Sequence, residues 1–429
     1  MSAVHIVLWS ALGVFAVGVV VVVYVTASVN AEARKQDDVV SVSPILTHPE
    51  EFLRAFGAVT GRQLIAGNDV RIYQNGDEIF PPMLEAIGSA RDSVHFATYV
   101  YDAGEIPDRF ASAFADAAGR GVEVRVVLDR NGAKEIPPAL VSRMKAAGCD
   151  VRWFRRAQWY DWEKYNRRTH RRLFIVDGQI GFTGGVGISD LWSGKGDAPT
   201  HWRDTHARIR GPAVGALQDA FVDTWNEATG QLPLGSRYFP SLDAAGTTPV
   251  SIVQSNPANA TSAAQRTIAA LVAGTQRSLF ITNAYFLPTP PFVIALCAAR
   301  ARGVDVKVVM PGPYHNKPAV RRASRHTWGD LVRGGVELYE HQRTMVHAKV
   351  VVADACLSMV GSINFDPRSF ALNAECAAVI HDDAVARRLT DAFDADLANS
   401  RRVTQEDHDA RSPIDRVVDG VAYWFRGQL

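Results

Sequence analysis

The chain has almost no net charge to offer a partner. Its 46 lysines and arginines are balanced by 45 aspartates and glutamates, which leaves a formal net charge of +1 over 429 residues. Proteins that bind nucleic acid or acidic membranes through overall charge carry a clear basic excess. The composition therefore argues against a nucleic-acid partner, and recognition of an anion must come from local clusters of basic residues.

Cysteine is also scarce. The four cysteines, Cys149, Cys297, Cys356 and Cys376, stand singly and far apart, without the close spacing of metal ligands. Their apolar or small neighbours favour buried free thiols in a reducing compartment, with two disulfides in an exported domain as the alternative. Because no group of histidine, cysteine and acidic residues has metal-binding spacing, we predict that the protein needs neither a metal nor another cofactor.

Formal charge is missing from a long stretch at the N-terminus. Residues 4–26 contain no Lys, Arg, Asp or Glu and end in the valine-rich run VGVVVVVYV. As a helix, about 22 residues span roughly 33 Å, enough for a bilayer core. We predict one transmembrane anchor over 4–26 and a linker over 27–60. A cleavable signal peptide is the alternative, but such peptides have a basic start and a shorter apolar stretch.

The basic residues around this stretch are asymmetric. Arg34 and Lys35 follow it, and no Lys or Arg precedes it. The positive-inside rule then places most of the chain in the cytoplasm. We therefore predict a single-pass protein of the cell membrane with a cytoplasmic catalytic domain, and the sequence leaves the oligomeric state open.

Beyond residue 60 the chain repeats itself. Four segments recur in the same order in the two halves: SVHFATYVYD (93–102) with SLFITNAYFLP (278–288), AAGRGVEVRVVLDR (117–130) with AARARGVDVKVVMPG (298–312), AAGCDVRWF (146–154) with RGGVELYEH (333–341), and THRRLFIVDGQIGFTGG (169–185) with VHAKVVVADACLSMVGS (346–362). Such a repeat indicates a duplication. We place the two units at 61–235 and 236–400 and a C-terminal tail at 401–429.

Within each unit, helical patterns that end at glycine alternate with buried apolar strands. Runs such as VEVRVVL and VDVKVVM are typical of strands that helices cover on both faces. The predicted fold class is α/β, with two duplicated lobes that each contain a mixed sheet and pack about a pseudo-twofold axis.

The last repeated segment carries the chemistry. In each half a histidine is followed by a basic residue, an aspartate and a glycine, and the copies are 177 positions apart: His170, Arg172, Asp177 and Gly184, then His347, Lys349, Asp354 and Gly361. On a strand, residues two apart share a face, so each histidine and its basic neighbour point into one site. The aspartates lie an odd number of positions further on and are expected to face away as structural partners.

His-x-Lys-x4-Asp followed by Gly-Ser-x-Asn resembles the signature of the phospholipase D superfamily, and the second copy has it in full. The stretches HWRDTHARIRGPAVGALQDAFVDTWN (201–226) and GSINFDPRSFALNAE (361–375) resemble the bacterial cardiolipin synthase branch. The resemblance covers roughly residues 61–400. It implies two phospholipase D-like lobes and double displacement at phosphorus, in which one histidine attacks and the other protonates the leaving alkoxide.

The resemblance also assigns roles to neighbouring residues. Arg172, Lys349 and Asn364 would stabilise the phosphoryl oxygens, and Ser362, Gly184 and Gly185 would bind substrate. A carboxylate should orient each imidazole. For the second half the resemblance implies Glu375, and we infer Asp204 for the first half from the duplication.

One basic segment, residues 153–172, leads into the first motif. A second basic segment, residues 314–326, occupies the corresponding place in the second half. We assign Arg321 and Arg325 of the second segment to an anionic substrate.

Two departures separate the first copy from the second. Arg172 replaces lysine but keeps a cation that can fork onto phosphate oxygens. Gly187 stands where the second copy has Asn364, so an amide donor is missing. The hypothesis is an active site with an asymmetric phosphate pocket in which Arg172 fills the gap.

The predicted function is that of a phosphatidyltransferase resembling cardiolipin synthase. It would move a phosphatidyl group from phosphatidylglycerol to an alcohol, a second phosphatidylglycerol, through a phosphohistidine. A phospholipase D that hydrolyses phospholipid to phosphatidic acid is the alternative, since both use the same residues. A membrane-bound lipid scaffold without turnover is a third possibility, which Gly187 permits and the intact second motif opposes.

Overall fold

The computed structural model describes residues 43–154, 167–256 and 262–429, together with Trp9, Gly18 and Val20. Nearly all of the predicted anchor over 4–26 lies outside these residues. Within the described part of the chain, no helix combines the length and apolar character needed to cross a membrane.

Sixteen strands and twelve α-helices make up the described chain. The strands of the first half are β1 (Ile65–Gln74), β2 (Ser93–Thr98), β3 (Glu123–Asp129), β4 (Asp150–Phe154), β5 (Arg168–Thr169), β6 (Leu173–Val176), β7 (Ile180–Gly184) and β8 (Thr205–Arg210). Those of the second half are β9 (Thr248–Ser255), β10 (Ser278–Asn283), β11 (Asp305–Pro311), β12 (Glu337–His341), β13 (Lys349–Ala353), β14 (Leu357–Gly361), β15 (Asn373–His381) and β16 (Ser400–Arg402).

The helices alternate with these strands. They are α1 (Pro49–Thr60), α2 (Asn75–Ser89), α3 (Glu105–Gly119), α4 (Pro138–Ala146), α5 (Val214–Thr229), α6 (Ala263–Gly274), α7 (Pro290–Ala301), α8 (Pro318–Arg333), α9 (Pro367–Ala371), α10 (Asp383–Ala398), α11 (Gln405–Asp409) and α12 (Pro413–Trp424). The chain is therefore a mixed α/β protein, as the sequence predicts.

All main strands belong to one continuous sheet. Its order in the first half is β1-β8-β7-β6-β2-β3-β4, and the second half repeats it as β9-β15-β14-β13-β10-β11-β12, with β16 added at the edge. The halves meet where β1 pairs antiparallel with β9, through Ile65 with Val250 and Asn68 with Thr248. The same strand order in both halves agrees with the sequence repeat, but the expected two separate sheets are joined edge to edge.

Three apolar clusters cover this sheet. One packs α2, α3 and α4 on the first half, and a second packs α1, α6, α7 and α8 on the second half. The third lies on the opposite face, where α5 and α10 cover strands of both halves. Strands β13 and β14 are fully buried, as expected of strands covered on both faces. The shared third cluster fixes the halves against each other, and the candidate site lies between them.

Parts of the predicted linker and tail are folded. The end of the 27–60 segment forms α1, whose Phe52 and Phe56 are buried against the second half. A helix that can bury two aromatic rings has a reason to fold on the domain, which the mixed composition of the segment concealed. Similarly, the tail over 401–429 forms α11 and α12, and α12 packs on α8.

Truncating Phe56 tests whether α1 stabilises the catalytic domain. Phe56→Ala removes a fully buried ring and is expected to lower the free energy of unfolding by about 3–5 kcal/mol. Denaturant unfolding of the full chain, followed by near-ultraviolet circular dichroism, measures the change. The control is Arg54→Ala on the exposed face of the same helix, which should change stability by less than about 0.5 kcal/mol. Equal effects of the two variants would contradict the packing role.

Candidate active site

Both histidines of the repeated motif lie where a segment of one half crosses onto the other half. Strand β5, just before His170, pairs in parallel with the start of β15, and the His170 amide donates to Ala374 O at 2.9 Å. The equivalent contact in the other direction pairs Arg203 with Val346, and the His347 amide donates to Arg203 O at 2.7 Å. These two crossings place each histidine beside a carboxylate of the opposite half.

His170 is oriented by Glu375 of the second half. Its Nδ1 lies 3.0 Å from both carboxylate oxygens. Glu375 also accepts hydrogen bonds from Ser362 Oγ at 2.5 Å and Ser369 Oγ at 2.8 Å. Burial raises the pKa of Glu375 to about 7. Burial and the nearby Arg172 cation lower the pKa of His170 well below its usual value, so this imidazole is neutral near pH 7.

His347 is oriented by Asp204 of the first half, with Nδ1 2.9 Å from Oδ2. Trp192 Nε1 and the Thr205 amide each donate to Asp204 at 2.8 Å. Although burial alone would raise it, the pKa of Asp204 is held below its usual value by the hydrogen bond from His347 and by the positive charge of Lys349. Burial and Lys349 lower the pKa of His347 to about 3. Of the two carboxylates, Asp204 is therefore the firmly ionised one.

The two basic residues of the motif differ in position. Arg172 lines the cavity between the histidines, and its Nη1 donates to His170 O at 2.6 Å. Lys349 is 1% exposed, and its Nζ lies 3.1 Å from His347 Nε2. Burial lowers the pKa of Lys349 well below its usual value. Arg172 is thus the motif cation that faces the cavity, and Lys349 supports the imidazole of His347.

The cavity measures about 220 Å³ and contains both histidines, Arg172 and Asn364 in its wall. Among the described residues that line it, five have basic side chains and three have acidic side chains, apart from the histidines and tyrosines. They are Lys134, Arg168, Arg172, Lys317 and Arg368, and Asp102, Glu135 and Asp366. Within the described residues, Nε of Arg172 is a buried donor without a hydrogen-bond partner. The cavity lining therefore has a positive excess and includes a residue with an unsatisfied donor, as an anion site requires.

Aromatic side chains hold the two imidazoles in place. The Trp192 ring lies 5.1 Å from the His347 ring and the Trp202 ring lies 5.4 Å from it, whereas Tyr99 lies 5.2 Å from His170. Sequence reasoning missed these three aromatics, as it missed Arg168 and Arg368. The stretch at 153–172 gave a partial signal because it interleaves aromatic and basic residues, but residues 155–166 lie outside the described part of the chain.

Three residues predicted to bind substrate do not line the cavity. Ser362 donates to Glu375 and thereby positions the carboxylate instead. A Cβ on Gly184 would meet Thr205 O at 2.5 Å, and one on Gly185 would meet the Asp204 carboxylate at 2.2 Å. Glycine is needed at both positions because β7 passes close to these groups. Gly185 therefore makes room for the orienting carboxylate, and Gly184 makes room for the start of β8, directly after Asp204.

The structure also corrects the assignment of Arg321 and Arg325 to the substrate. Arg321 pairs with Glu340, at 2.5 Å from Nη2 to Oε1, and Arg325 lies over the Trp328 ring at 5.8 Å. Arg321 lies about one turn and Arg325 about two turns after the start of α8. This part of α8 packs against β12 and the C-terminal helices α11 and α12. Lys317, directly before α8, is the basic residue of this segment that lines the cavity, and its neighbour Asn316 lines it as well.

Asp177 and Asp354, which belong to the motif, stand away from the cavity. Asp177 accepts hydrogen bonds from the amides of Arg91, Asp92 and Ser93, which precede β2. Asp354 does the same for residues 276–278 before β10. Each aspartate thus fixes the turn into the neighbouring strand, a structural position of the kind that the odd spacing predicts.

The missing asparagine at Gly187 has a steric counterpart. A Cβ at this position would lie 2.7 Å from Val100 Cβ and 3.0 Å from the Trp192 ring. Trp192 donates to Asp204 and packs against His347, so it occupies this side of the site. Trp192 lines the cavity on the side of the first half, with Gly187 packed behind it, and Asn364 lines the cavity on the side of the second half.

Restoring the asparagine is therefore expected to damage the site. Gly187→Asn should displace Trp192, destabilise the protein by about 1–3 kcal/mol and reduce turnover about 10²-fold. Thermal unfolding and phospholipid turnover measure the two effects. Gly215→Asn on α5 is the control, because a Cβ there meets nothing within 4 Å. A faster Gly187→Asn enzyme would mean that the loss of the asparagine impairs the natural pocket.

Comparisons with known proteins agree with this geometry. A family model described as a cardiolipin synthase, phospholipase D-like domain matches residues 83–191 and 268–397, more than half of the chain. Cardiolipin synthase 2 of Staphylococcus epidermidis is 30% identical over 362 residues, which cover 84% of this chain and 74% of that protein. Cardiolipin synthase of Oceanobacillus iheyensis is 33% identical over 346 residues, 80% of this chain and 72% of that protein.

The fold has a solved counterpart. Phosphatidylserine synthase of Haemophilus influenzae superposes with a TM-score of 0.64 at 12% identity and covers 86% of this chain and 96% of that chain. At this identity the likeness speaks for the fold alone. The family model and the curated relatives confirm the resemblance in the repeated motif, and the chain belongs to the cardiolipin synthase family of phospholipase D-like phosphatidyltransferases.

Proposed function

We propose that this enzyme transfers a phosphatidyl group from one phosphatidylglycerol to the hydroxyl group of another through a phosphohistidine, which yields cardiolipin and glycerol. The observation that carries the proposal is the pair of histidines in one cavity, each with Nδ1 bound to a carboxylate of the opposite half. A bound Nδ1 directs Nε2 to the substrate. Two such imidazoles provide a nucleophile and an acid–base group for double displacement.

In the first step, Nε2 of His170 attacks phosphorus while His347 supplies a proton to the departing glycerol oxygen. The P–O bond to that glycerol breaks, an N–P bond forms, and free glycerol leaves. His347 is now neutral. In the second step it accepts the proton from a hydroxyl group of the incoming phosphatidylglycerol, whose oxygen attacks phosphorus. The N–P bond breaks, and both histidines return to their initial protonation states.

Electrostatics favour this division of roles. Asp204 is ionised beside His347 and stabilises an imidazolium there, whereas Glu375, with a pKa near 7, gives His170 a weaker negative partner. Burial, and after it the nearby cations, lower the pKa of both imidazoles and keep them neutral. A phosphodiester anion placed between them would raise the pKa of His347 and enable it to take up the proton it later donates.

The cavity lining suits the phosphodiester. Arg172 lines the same cavity as Asn364, and its buried Nε has no hydrogen-bond partner among the described residues, so the guanidinium can take the place of the side-chain amide that Gly187 lacks. Lys317 and Arg368 add charge on the side of the second half. This arrangement supports an active pocket with one arginine-based and one asparagine-based side.

The substrate class sets the location. We propose that residues 4–26 anchor the protein in the cell membrane by a single span, with the catalytic domain on the cytoplasmic side, because Arg34 and Lys35 follow the apolar stretch. Phosphatidylglycerol and cardiolipin keep their acyl chains in the bilayer. An anchor keeps the cavity beside both substrates.

Product analysis tests the proposal. The purified full chain is incubated in mixed micelles with phosphatidylglycerol labelled in its acyl chains and, in a parallel sample, in its glycerol headgroup, and the products are separated by chromatography. Cardiolipin together with free glycerol is the expected result. Phosphatidic acid would instead identify a hydrolase in which water replaces the acceptor alcohol. Absence of any product, under conditions in which a related cardiolipin synthase is active, would overturn both enzymatic functions and leave a lipid-binding scaffold.

A further inference from the structure

Helix α12 carries its apolar residues on the outside. Ile414, Val417, Val418, Val421 and Trp424 recur at helical spacing on one face, and between 39 and 76% of each residue is exposed. A helix of a water-soluble domain normally turns such a stripe towards the core. Here Ile414, Val417 and Val421 of the stripe are each more than half exposed.

The opposite face of α12 is polar and faces the protein. Asp419 is 1% exposed and pairs with Arg411 at 2.9 Å and with Arg322 of α8 at 3.4 Å. Asp415 pairs with Arg322 at 2.7 Å, and the Tyr423 ring stacks on His326 at 4.5 Å. The ion pairs fix the rotation of the helix about its axis. The outward direction of the apolar stripe is therefore built into the fold.

We infer that the apolar face of α12 docks on the surface of a phospholipid bilayer and holds the cavity at the lipid. Tryptophan and valine side chains enter the headgroup–acyl boundary, and basic residues beside them attract anionic lipid. Trp424 ends the helix, and Arg426, two residues beyond it, hydrogen-bonds to a main-chain carbonyl without a carboxylate partner in the described chain. Its charge is available to an acidic surface.

The place of α12 in the fold supports a lipid occupant. The chain runs from Trp424 over only five further residues to Leu429, which lines the cavity with both histidines. A surface that docks through α12 thus lies beside the mouth through which a lipid headgroup enters. This inference rests on the proposed function, since it takes the substrate to be a phospholipid.

A second copy of the chain fits the stripe less well. A helix of 12 residues is about 18 Å long, and a stripe about 10 Å wide offers roughly 200 Å². A stable protein–protein interface buries about 800 Å² on each partner. The helix face alone is too small for a stable dimer but sufficient for interfacial insertion beside a membrane anchor.

Membrane depth at α12 can be measured without turnover. In the full chain, the half-buried Cys297 and Cys356 are replaced by serine, and Val417→Cys is labelled with an environment-sensitive fluorophore. The labelled protein is reconstituted in vesicles of phosphatidylglycerol and phosphatidylcholine. Ile294→Cys on α7 is the matched control, since Ile294 is 66% exposed and Val417 is 65% exposed. Docking predicts a blue-shifted emission at 417 that brominated acyl chains quench, and neither effect at 294.

Equal emission and quenching at the two positions would overturn the inference. A blue shift that increases with protein density and is not quenched by brominated lipid would also overturn it, in favour of a second copy. Because neither outcome depends on product formation, this experiment is independent of the proposed function. It separates failure of docking from failure of the transferase assignment.

Rates of phosphatidyl transfer test whether docking through α12 matters for activity. The double variant Val417→Asp/Val421→Asp is expected to lose at least about tenfold in rate on vesicles, because the charges prevent insertion. On a short-chain phosphatidylglycerol kept monomeric in water, its rate should match that of wild type. Ile294→Asp should match wild type on both substrates. Equal losses of the double variant on both substrates would mean damage to the fold and would overturn the docking role.

Discussion

Alanine at His170 or at His347 is expected to reduce phosphatidyl transfer by at least about 10³-fold, and for different reasons. His170→Ala removes the nucleophile, so no phosphoenzyme can form. His347→Ala removes the proton donor, so attack on phosphatidylglycerol stalls because glycerol would have to leave as an alkoxide. Rates of product formation from labelled lipid measure the losses. His381→Ala at the end of β15, away from the cavity, is the control and should match wild type.

A better leaving group distinguishes the two roles. Phosphatidyl-p-nitrophenol releases a phenolate that needs no protonation. We expect His347→Ala to release a burst of p-nitrophenol equal to the enzyme concentration. The labelled phosphatidyl group of the substrate should remain on the protein as an acid-labile phosphoenzyme. We expect His170→Ala to release no burst. If His170→Ala gives the burst and His347→Ala does not, the nucleophile is His347 and the proposed roles are reversed.

The repeat made much of the fold predictable. A constant separation of 177 positions between the motif copies implies that their surroundings have the same path. The strand order β1-β8-β7-β6-β2-β3-β4 does recur in the second half as β9-β15-β14-β13-β10-β11-β12. The edge-to-edge pairing of β1 with β9 could not be predicted in the same way. It depends on which sheet edges the helices leave open, and that is a property of the assembled fold.

The carboxylates show the same limit at the site. Their position after each motif identified Asp204 and Glu375 as candidates. Nothing in the spacing indicated that each would serve the histidine of the other half. That arrangement arises because residues 168–169 pair with the start of β15, and Arg203 pairs with Val346. Each of these contacts joins residues that are far apart in the chain.

Side-chain direction on helices was the least predictable property. Arg321 and Arg325 belong to a basic segment that reaches the cavity, but of its basic residues only Lys317 lines the cavity. The composition of the segment cannot tell which turn points inward. For Gly187 the sequence showed that the side-chain amide is missing. That the Trp192 ring fills the space beside Gly187 depends on the folded path of the chain and could not be predicted.

The crossed carboxylates lead to the second large expected effect. Asp204→Asn and Glu375→Gln should each reduce turnover by about 10²- to 10⁴-fold, because an amide can donate to Nδ1 and hold the imidazole in the wrong tautomer. Transfer from phosphatidylglycerol is the measurement. Asp69→Asn, which removes a partly exposed partner of Arg208, is the control for loss of a carboxylate outside the cavity and should keep near-normal activity.

Phosphatidyl-p-nitrophenol then reports which histidine each carboxylate serves. Asp204 lies in the first half but contacts His347, so Asp204→Asn should behave as His347→Ala does and recover the p-nitrophenol burst. Glu375 lies in the second half but contacts His170, so Glu375→Gln should slow the burst as His170→Ala does. The opposite pattern would mean that each carboxylate acts on the histidine of its own half. In that case the crossing of β5 onto β15 would not be the arrangement of the working enzyme, and neither half could be said to complete the other.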